Sequence, residues 1–353
     1  MVLLAICSIK GAKSNVKFIL FSALLCFLMA FKAESIGNDT YNYIYFFEYI
    51  NEIDSLYDPF SRFEIGFQIY NKILGYISND VQILFVISSV ICFSCLIYST
   101  KKLSLNWIYT LFLFVGLRFY YFFLSGLRQS IAVSIILVSY VMLKEEKKIK
   151  YFLLVLLAST FHFSALIFLV AWPLRKLNFN RYNFLKIVTT TLILYIFFDN
   201  LLLMFLSVLP AYYSHYLDSD AVASNNLANY IYTLINLTFL LFAYYSGYIE
   251  KIRSKLNRLQ GFDTSNIQLF FLLISTALSF IATRASILDR FVQYFWIFSI
   301  FSISNILFSM HDQKSRAGWY LIVSILVFAF NITLLIYRPM WTQIVPYRFF
   351  WNN

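Results

Sequence analysis

The chain has 353 residues, 61% hydrophobic and 13% charged, whereas a soluble globular protein is nearer half apolar and a quarter charged. Apolar runs of near-spanning length recur from end to end, which excludes a soluble enzyme and predicts a polytopic helical membrane protein. The formal net charge of +11 sits mostly in short loops, where Lys and Arg set topology, so it does not mark a nucleic-acid binder.

Residues 1–9 are apolar but too short to span. Residues 16 to about 31 form the first span. They lack a small-residue cleavage site, so they read as an uncleaved anchor, and Lys10, Lys13 and Lys17 place the N-terminus in the cytoplasm. Residues 34–62 carry Glu34, Asp39, Glu48, Glu52, Asp54 and Asp58 against Arg62 alone, the pattern of an external loop. Within that loop 41–53 is rich in aromatics with scattered acids and predicts an amphipathic helix on the membrane surface. Gly37-Asn38-Asp39-Thr40-Tyr41 reads as a turn leading into a helix cap. Residues 64–77 are apolar but interrupted by Gln68, Asn71 and Lys72, as in an interfacial or re-entrant helix.

Residues 81–98 span inward to Lys101-Lys102, and 105–124 span outward carrying Arg118. Gly126-Leu127-Arg128-Gln129 then turns at the outer face, and 130–143 returns to a basic loop from Lys144 to Lys150. Residues 151–174 have His162 mid-run, and Arg175, Lys176, Arg181 and Lys186 follow. Both ends look cytoplasmic, so the stretch is either a re-entrant hairpin with His162 near its tip or a span that breaks the charge rule; the hairpin is preferred. Residues 184–206 span outward through Asp199-Asn200, and 207–229 form a second external loop with His215, Asp218 and Asp220. Residues 230–248 return to Lys251, Arg253, Lys255 and Arg258. Residues 267–281, 291–308 and 319–337 cross again, with Arg284 to Arg290 outside. The expected fold class is all-α, one integral membrane domain over 1–353, with about 9–11 transmembrane helices and re-entrant or interfacial helices.

No phosphate-binding glycine loop, zinc-binding histidine pair or nucleophile elbow occurs. His162, His215 and His311 are too scattered for a dedicated zinc site. Cys92 and Cys95 are spaced C-x-x-C inside an apolar run and read as buried thiols. What remains is a set of polar groups that the topology gathers outside: Asp39, Glu64, Arg128, Gln129, Arg284, Asp289 and Arg290. Arg118 lies deeper. A guanidinium at a helix centre costs about 2.5–3.5 kcal/mol, and its planar fork suits phosphate. Two arginine groups and two external acids, roofed by an aromatic helix, suit a diphosphate and a sugar. The plainer readings are Arg284 and Arg290 paired with Asp289 in a solvated loop, and His162 as a satisfied core histidine.

Gly37-Asn38-Asp39-Thr40-Tyr41, Phe63-Glu64-Ile65-Gly66-Phe67, Leu127-Arg128-Gln129-Ser130-Ile131-Ala132 and Phe161-His162-Phe163-Ser164-Ala165-Leu166 occur in that order. With Asp289-Arg290-Phe291, Tyr294 and the terminal Pro346-Tyr347-Arg348-Phe349, they resemble the EpsG family of bacterial exopolysaccharide proteins, relatives of Wzy-type O-antigen and capsule polymerases. The short N-terminal apolar run departs from the family's usual full first span.

The resemblance implies a GT-C-like polymerase, a glycosyltransferase of the bacterial cytoplasmic (inner) membrane. It would join oligosaccharide repeat units carried on undecaprenyl diphosphate, without a cofactor, in contact with membrane lipid and with chain-length regulator and flippase proteins. Asp39, Glu64 and His162 are then the candidate catalytic groups, and the sequence does not choose among them. Arg118, Arg128, Gln129, Arg284, Arg290 and Tyr294 are the candidate substrate-binding residues. A flippase for the same lipid-linked sugars is the alternative, and a structural partner of the assembly complex a third.

Overall fold

The computed structural model describes residues 1–10, 14–201, 227–245, 266–285, 288–310, 312–341 and 343–352. Much of the expected external loop 207–229, the basic loop 251–258 and His311 lie outside these residues. Helices α1 (Val2–Lys10), α2 (Asn15–Ala30), α3 (Thr40–Glu52), α4 (Ile65–Ile77), α5 (Gln82–Leu103), α6 (Trp107–Gly116), α7 (Phe119–Ser125), α8 (Leu127–Lys144) and α9 (Lys148–Phe161) follow in order. A 3-10 segment, Phe163–Val170, leads to α10 (Ala171–Leu174), α11 (Arg181–Ile196), α12 (Leu227–Tyr245), α13 (Asn266–Ile281), α14 (Asp289–Trp296), α15 (Ser299–Phe308) and α16 (Gln313–Tyr337).

Among the described residues no strand forms, and one isolated bridge pairs Lys32 with Phe349. Four stretches are long and apolar enough to cross a membrane: Gln82–Leu103, Leu127–Lys144, Asp289–Phe308 and Gln313–Tyr337. The bent pair α6–α7 makes a fifth, and shorter apolar helices such as Asn15–Ala30 accompany them. The chain is therefore an all-α polytopic membrane protein. It divides into two compact units, Met1–Leu169 with Leu307–Asn353, and Val170–Ile306.

In the first unit α8 packs between α5 and α9. Fifteen of its eighteen residues are buried, so protein surrounds it on nearly every side. Its serines explain how a polar sequence tolerates that place. The hydroxyls of Ser130, Ser134 and Ser139 donate to the carbonyls of Gly126, Ser130 and Ile136 at 2.9, 2.7 and 2.9 Å, so each is satisfied within the helix. Helix α16 is the opposite case. It buries only Val323, Val327, Asn331 and Leu334, the stripe that meets α6, and Asn331 Nδ2 donates to the Val115 carbonyl there at 2.9 Å.

The expected surface helix is α3. It buries Tyr43, Ile44, Phe46, Phe47 and Ile50 and packs on α4, with the Phe46 and Phe63 ring centroids 4.2 Å apart. The polar interruptions of α4 are internal fasteners. Lys72 is buried and donates to the carbonyls of Ile50 and Ile53, closing the C-terminus of α3, where a cation is favoured. Gln68 Nε2 donates to the Phe63 carbonyl at 2.7 Å, and its Oε1 accepts from the Asp58 N–H at 2.8 Å.

Two runs bend within the chain, the second as the hairpin reading expects. The run 105–124 is not one straight span. It bends by 60° between α6 and α7, and Arg118 sits in the bend with φ 72°, a conformation that non-glycine residues rarely hold. The run 151–174 reverses at His162. Tyr151, near the start of α9, donates its hydroxyl to the Phe168 carbonyl at 2.7 Å. Ten helical residues separate Tyr151 from Phe161, about 15 Å of rise, so this contact requires the chain to double back.

Candidate functional site

The first unit gathers all four sequence motifs. Gly126 ends α7 and precedes α8, which makes Arg128 the second residue of a helix whose first N–H groups have no partners within it. The guanidinium lies over the Phe63 ring at 4.6 Å and near the Phe67 ring at 6.0 Å. Its Nη1 donates to Glu64 Oε2, an ion pair whose side chains are only 18% and 22% exposed. Gln129 is buried beside it in the first turn of α8.

Glu64 uses its other oxygen as well. Oε1 accepts the backbone N–H of Phe163 at 3.1 Å, so one carboxylate joins the head of α8 to the tip of the α9 hairpin. His162 caps α9 in extended backbone, φ −155° and ψ 110°, and is buried. Its Nδ1 lies 2.6 Å from Ser164 Oγ. Helix α4 comes very close to this tip. A Cβ on Gly66 would stand 2.2 Å from Thr160 Oγ1 and 2.8 Å from the Thr160 carbonyl, so only glycine fits.

The Gly37–Thr40 turn closes the other side. Gly37 has φ 91°, and a Cβ there would meet the Leu124 carbonyl at 2.6 Å; both facts require glycine. Asn38 N–H donates to Ser125 Oγ at 3.0 Å. The turn is thereby pinned to the last residues of α7, immediately before Arg128. Asp39 is exposed at the N-cap of α3 and makes no side-chain capping bond. The terminal motif arrives at the same place. Arg348 offers its carbonyl to Ala33 N–H at 2.9 Å, Phe350 N–H donates to the Phe31 carbonyl at 3.2 Å, and Gly37 N–H donates to the Gln343 carbonyl at 3.3 Å.

Two residues here gave no signal in the sequence. Tyr43 looks like one more aromatic of α3, yet it is buried within the fields of Arg128 and Asp39. Burial pushes its phenol up to about 12, so it remains a proton donor at any physiological pH. Lys32 looks like a snorkelling lysine after the first span, yet it is fully enclosed. Its Nζ donates to the Ile36 carbonyl at 2.9 Å, Thr40 Oγ1 at 2.7 Å and the Leu124 carbonyl at 2.5 Å.

The remaining candidates lie outside these four motifs in the sequence. Arg118 is buried at the α6–α7 bend with its guanidinium over the Tyr121 ring at 4.8 Å. Arg284, Arg290 and Tyr294 belong to the second unit. Arg284 Nη2 pairs with Asp199 Oδ2 at 2.5 Å. Arg290 is exposed in the first turn of α14, and Tyr294 is buried one turn on. Among the described residues no group of His, Cys, Asp and Glu is arranged to hold a metal ion.

The site thus offers a guanidinium at a helix N-terminus, a carboxylate that orients it, and a second, open carboxylate. That set can hold an oxyanion and accept a proton from a hydroxyl. Comparison with curated proteins and with solved structures finds no match. The sequence model of the EpsG family matches residues 15–349, nearly the whole chain, and this multi-pass membrane protein therefore belongs to the EpsG family, proteins of exopolysaccharide biosynthesis.

Proposed function

We propose that the chain is a Wzy-like polysaccharide polymerase. It joins lipid-diphosphate-linked oligosaccharide repeat units at the outer face of the cytoplasmic membrane, for O-antigen, capsule or exopolysaccharide. The observation that supports this most is the Glu64–Arg128 pair at the head of α8, tied to the hairpin tip and flanked by an open Asp39.

In this reading a hydroxyl of the incoming unit attacks the anomeric carbon of the growing chain. A carbon–oxygen bond forms to that hydroxyl, and the bond to the undecaprenyl diphosphate oxygen breaks. The leaving oxygen carries negative charge, which Arg128 and the first N–H groups of α8 stabilise. The hydroxyl proton passes to a carboxylate. Both oxygens of Glu64 are already engaged, which makes it the orienting group for Arg128. Asp39 is exposed, so Asp39 receives the proton. His162 fixes the hairpin tip. Gln129, Arg118, Arg284, Arg290 and Tyr294 stay substrate-binding residues in the same proposal, whose chemistry rests on the first unit alone.

Glycan length on the lipid carrier in a deletion strain tests the proposal. Single repeats accumulating at the outer leaflet are expected, restored to polymer by the wild-type gene and not by Asp39→Asn. Single repeats trapped at the inner leaflet would mean a flippase instead.

A further inference from the structure

Lys32 is a buried cation with no ion-pair partner among the described residues. Three oxygens surround its ammonium, one for each N–H: the carbonyls of Ile36 and Leu124 and the hydroxyl of Thr40. The Phe85 ring of α5 covers it at 4.8 Å. Two acceptors bracket the Asp39 turn and the third lies on α7. Ile36 begins the turn that carries Asp39, Thr40 is the first residue of α3, and Leu124 lies near the C-terminus of α7, two residues before Gly126. The lysine's own backbone is bridged to Phe349 of the terminal segment. A desolvated ammonium is expensive unless every donor is satisfied. A chain that only needed to fill this volume could use methionine.

We propose that Lys32 is a positioning residue for the transfer reaction: its ammonium ties the Asp39 turn to the end of α7 and so holds Asp39 in register with Arg128. The inference rests on the polymerase reading. Lys32 touches no reacting atom; it acts through Asp39 and Arg128.

The ammonium has a signature that plain packing lacks. Lys32 lies beyond the last turn of α2, and burial pulls its ammonium down to about 7, with Asp39 opposing. Asp39, from the start of α3, is the charged group acting on it; α5 presents the Phe85 ring and α7 the Leu124 carbonyl. Below that pH three N–H groups meet three acceptors. Above it the amine keeps two, and one of the three ties opens. Polymerisation should therefore fall as pH rises through about 7. Folding stability should move the other way. The unfolded lysine binds a proton up to its ordinary value of about 10.4, so between the two values the unfolded state holds more protons and folding gains with rising pH.

The test uses full-length protein in membranes with lipid-linked repeat units as substrate, measuring kcat, KM and thermal midpoint across pH. Lys32→Met, present at the wild-type level, is expected to lower kcat roughly ten- to a hundredfold, the scale of a small misplacement of reacting groups. Its KM should change little, and both pH trends should vanish. Thr40→Val removes one of the three acceptors and should lower kcat without lowering the membrane level; it decides the matter if Lys32→Met fails to insert. Wild-type kcat and an unchanged pH profile in the variant that inserts would overturn the inference. Wild-type protein that makes no polymer from these units would overturn the polymerase reading, and this inference with it.

Discussion

Replacing Arg128 by lysine tests the leaving-group reading most directly. The guanidinium's Nη1 is held by Glu64 and its face rests on Phe63 and Phe67. The guanidinium carries five N–H donors and is 18% exposed, so donor capacity beyond the Nη1 pair with Glu64 is left for an incoming phosphate. Lysine keeps the charge but has a single nitrogen, which Glu64 would capture. The fork is lost. A charge-assisted hydrogen bond is worth about 1.5–3 kcal/mol, and removing a donor to a developing oxyanion costs about 2.7–4 kcal/mol. The expected loss is about 3 kcal/mol, roughly a hundred- to a thousandfold in rate. Membrane level should be near normal, because the Glu64 tie survives in part. The assay is the rate of polymer formation and the length distribution of lipid-linked glycan at matched protein level. Normal length at normal rate would refute the reasoning and leave Arg128 as a topology anchor.

Gly66→Ala places a Cβ 2.2 Å from Thr160 Oγ1, so α4 must shift away from the hairpin tip; polymer yield should fall well over tenfold, an ångström-scale displacement being worth about a hundredfold, and unchanged yield would show that the close approach is dispensable. His162→Phe removes the imidazole contact to Ser164 and should shorten polymer, while unchanged length and amount would make the residue incidental. Cysteine labelling from outside should reach positions beside Asp39 and not those beside Lys147; the reverse pattern would invert the topology.

Composition alone determined the class of this protein. Apolar runs of near-spanning length satisfy their backbone in a membrane by forming helices. The aromatics and scattered acids of 41–53 were enough to predict α3 as an amphipathic helix, because that pattern is local to the segment. The residue types at the site were also legible: Asp39, Glu64, Arg128 and His162 stood out as polar groups within four short motifs.

Their division of labour was not legible. Glu64 and Arg128 are 64 positions apart, and no local pattern reveals that one carboxylate spends both oxygens on a guanidinium and a hairpin tip. That decision belongs to the packing of α4 between α3 and α9. The break at Arg118 was hidden because residues 117–119 contain neither Pro nor Gly, and a left-handed residue is imposed by surrounding structure rather than by its own preference. Lys32 shows the limit most clearly. In the sequence it is one cation after an apolar run, indistinguishable from a snorkelling lysine. Only the approach of Leu124, 92 residues away, to the turn that carries Ile36 and Thr40 encloses it, and enclosure is a property of the assembled fold.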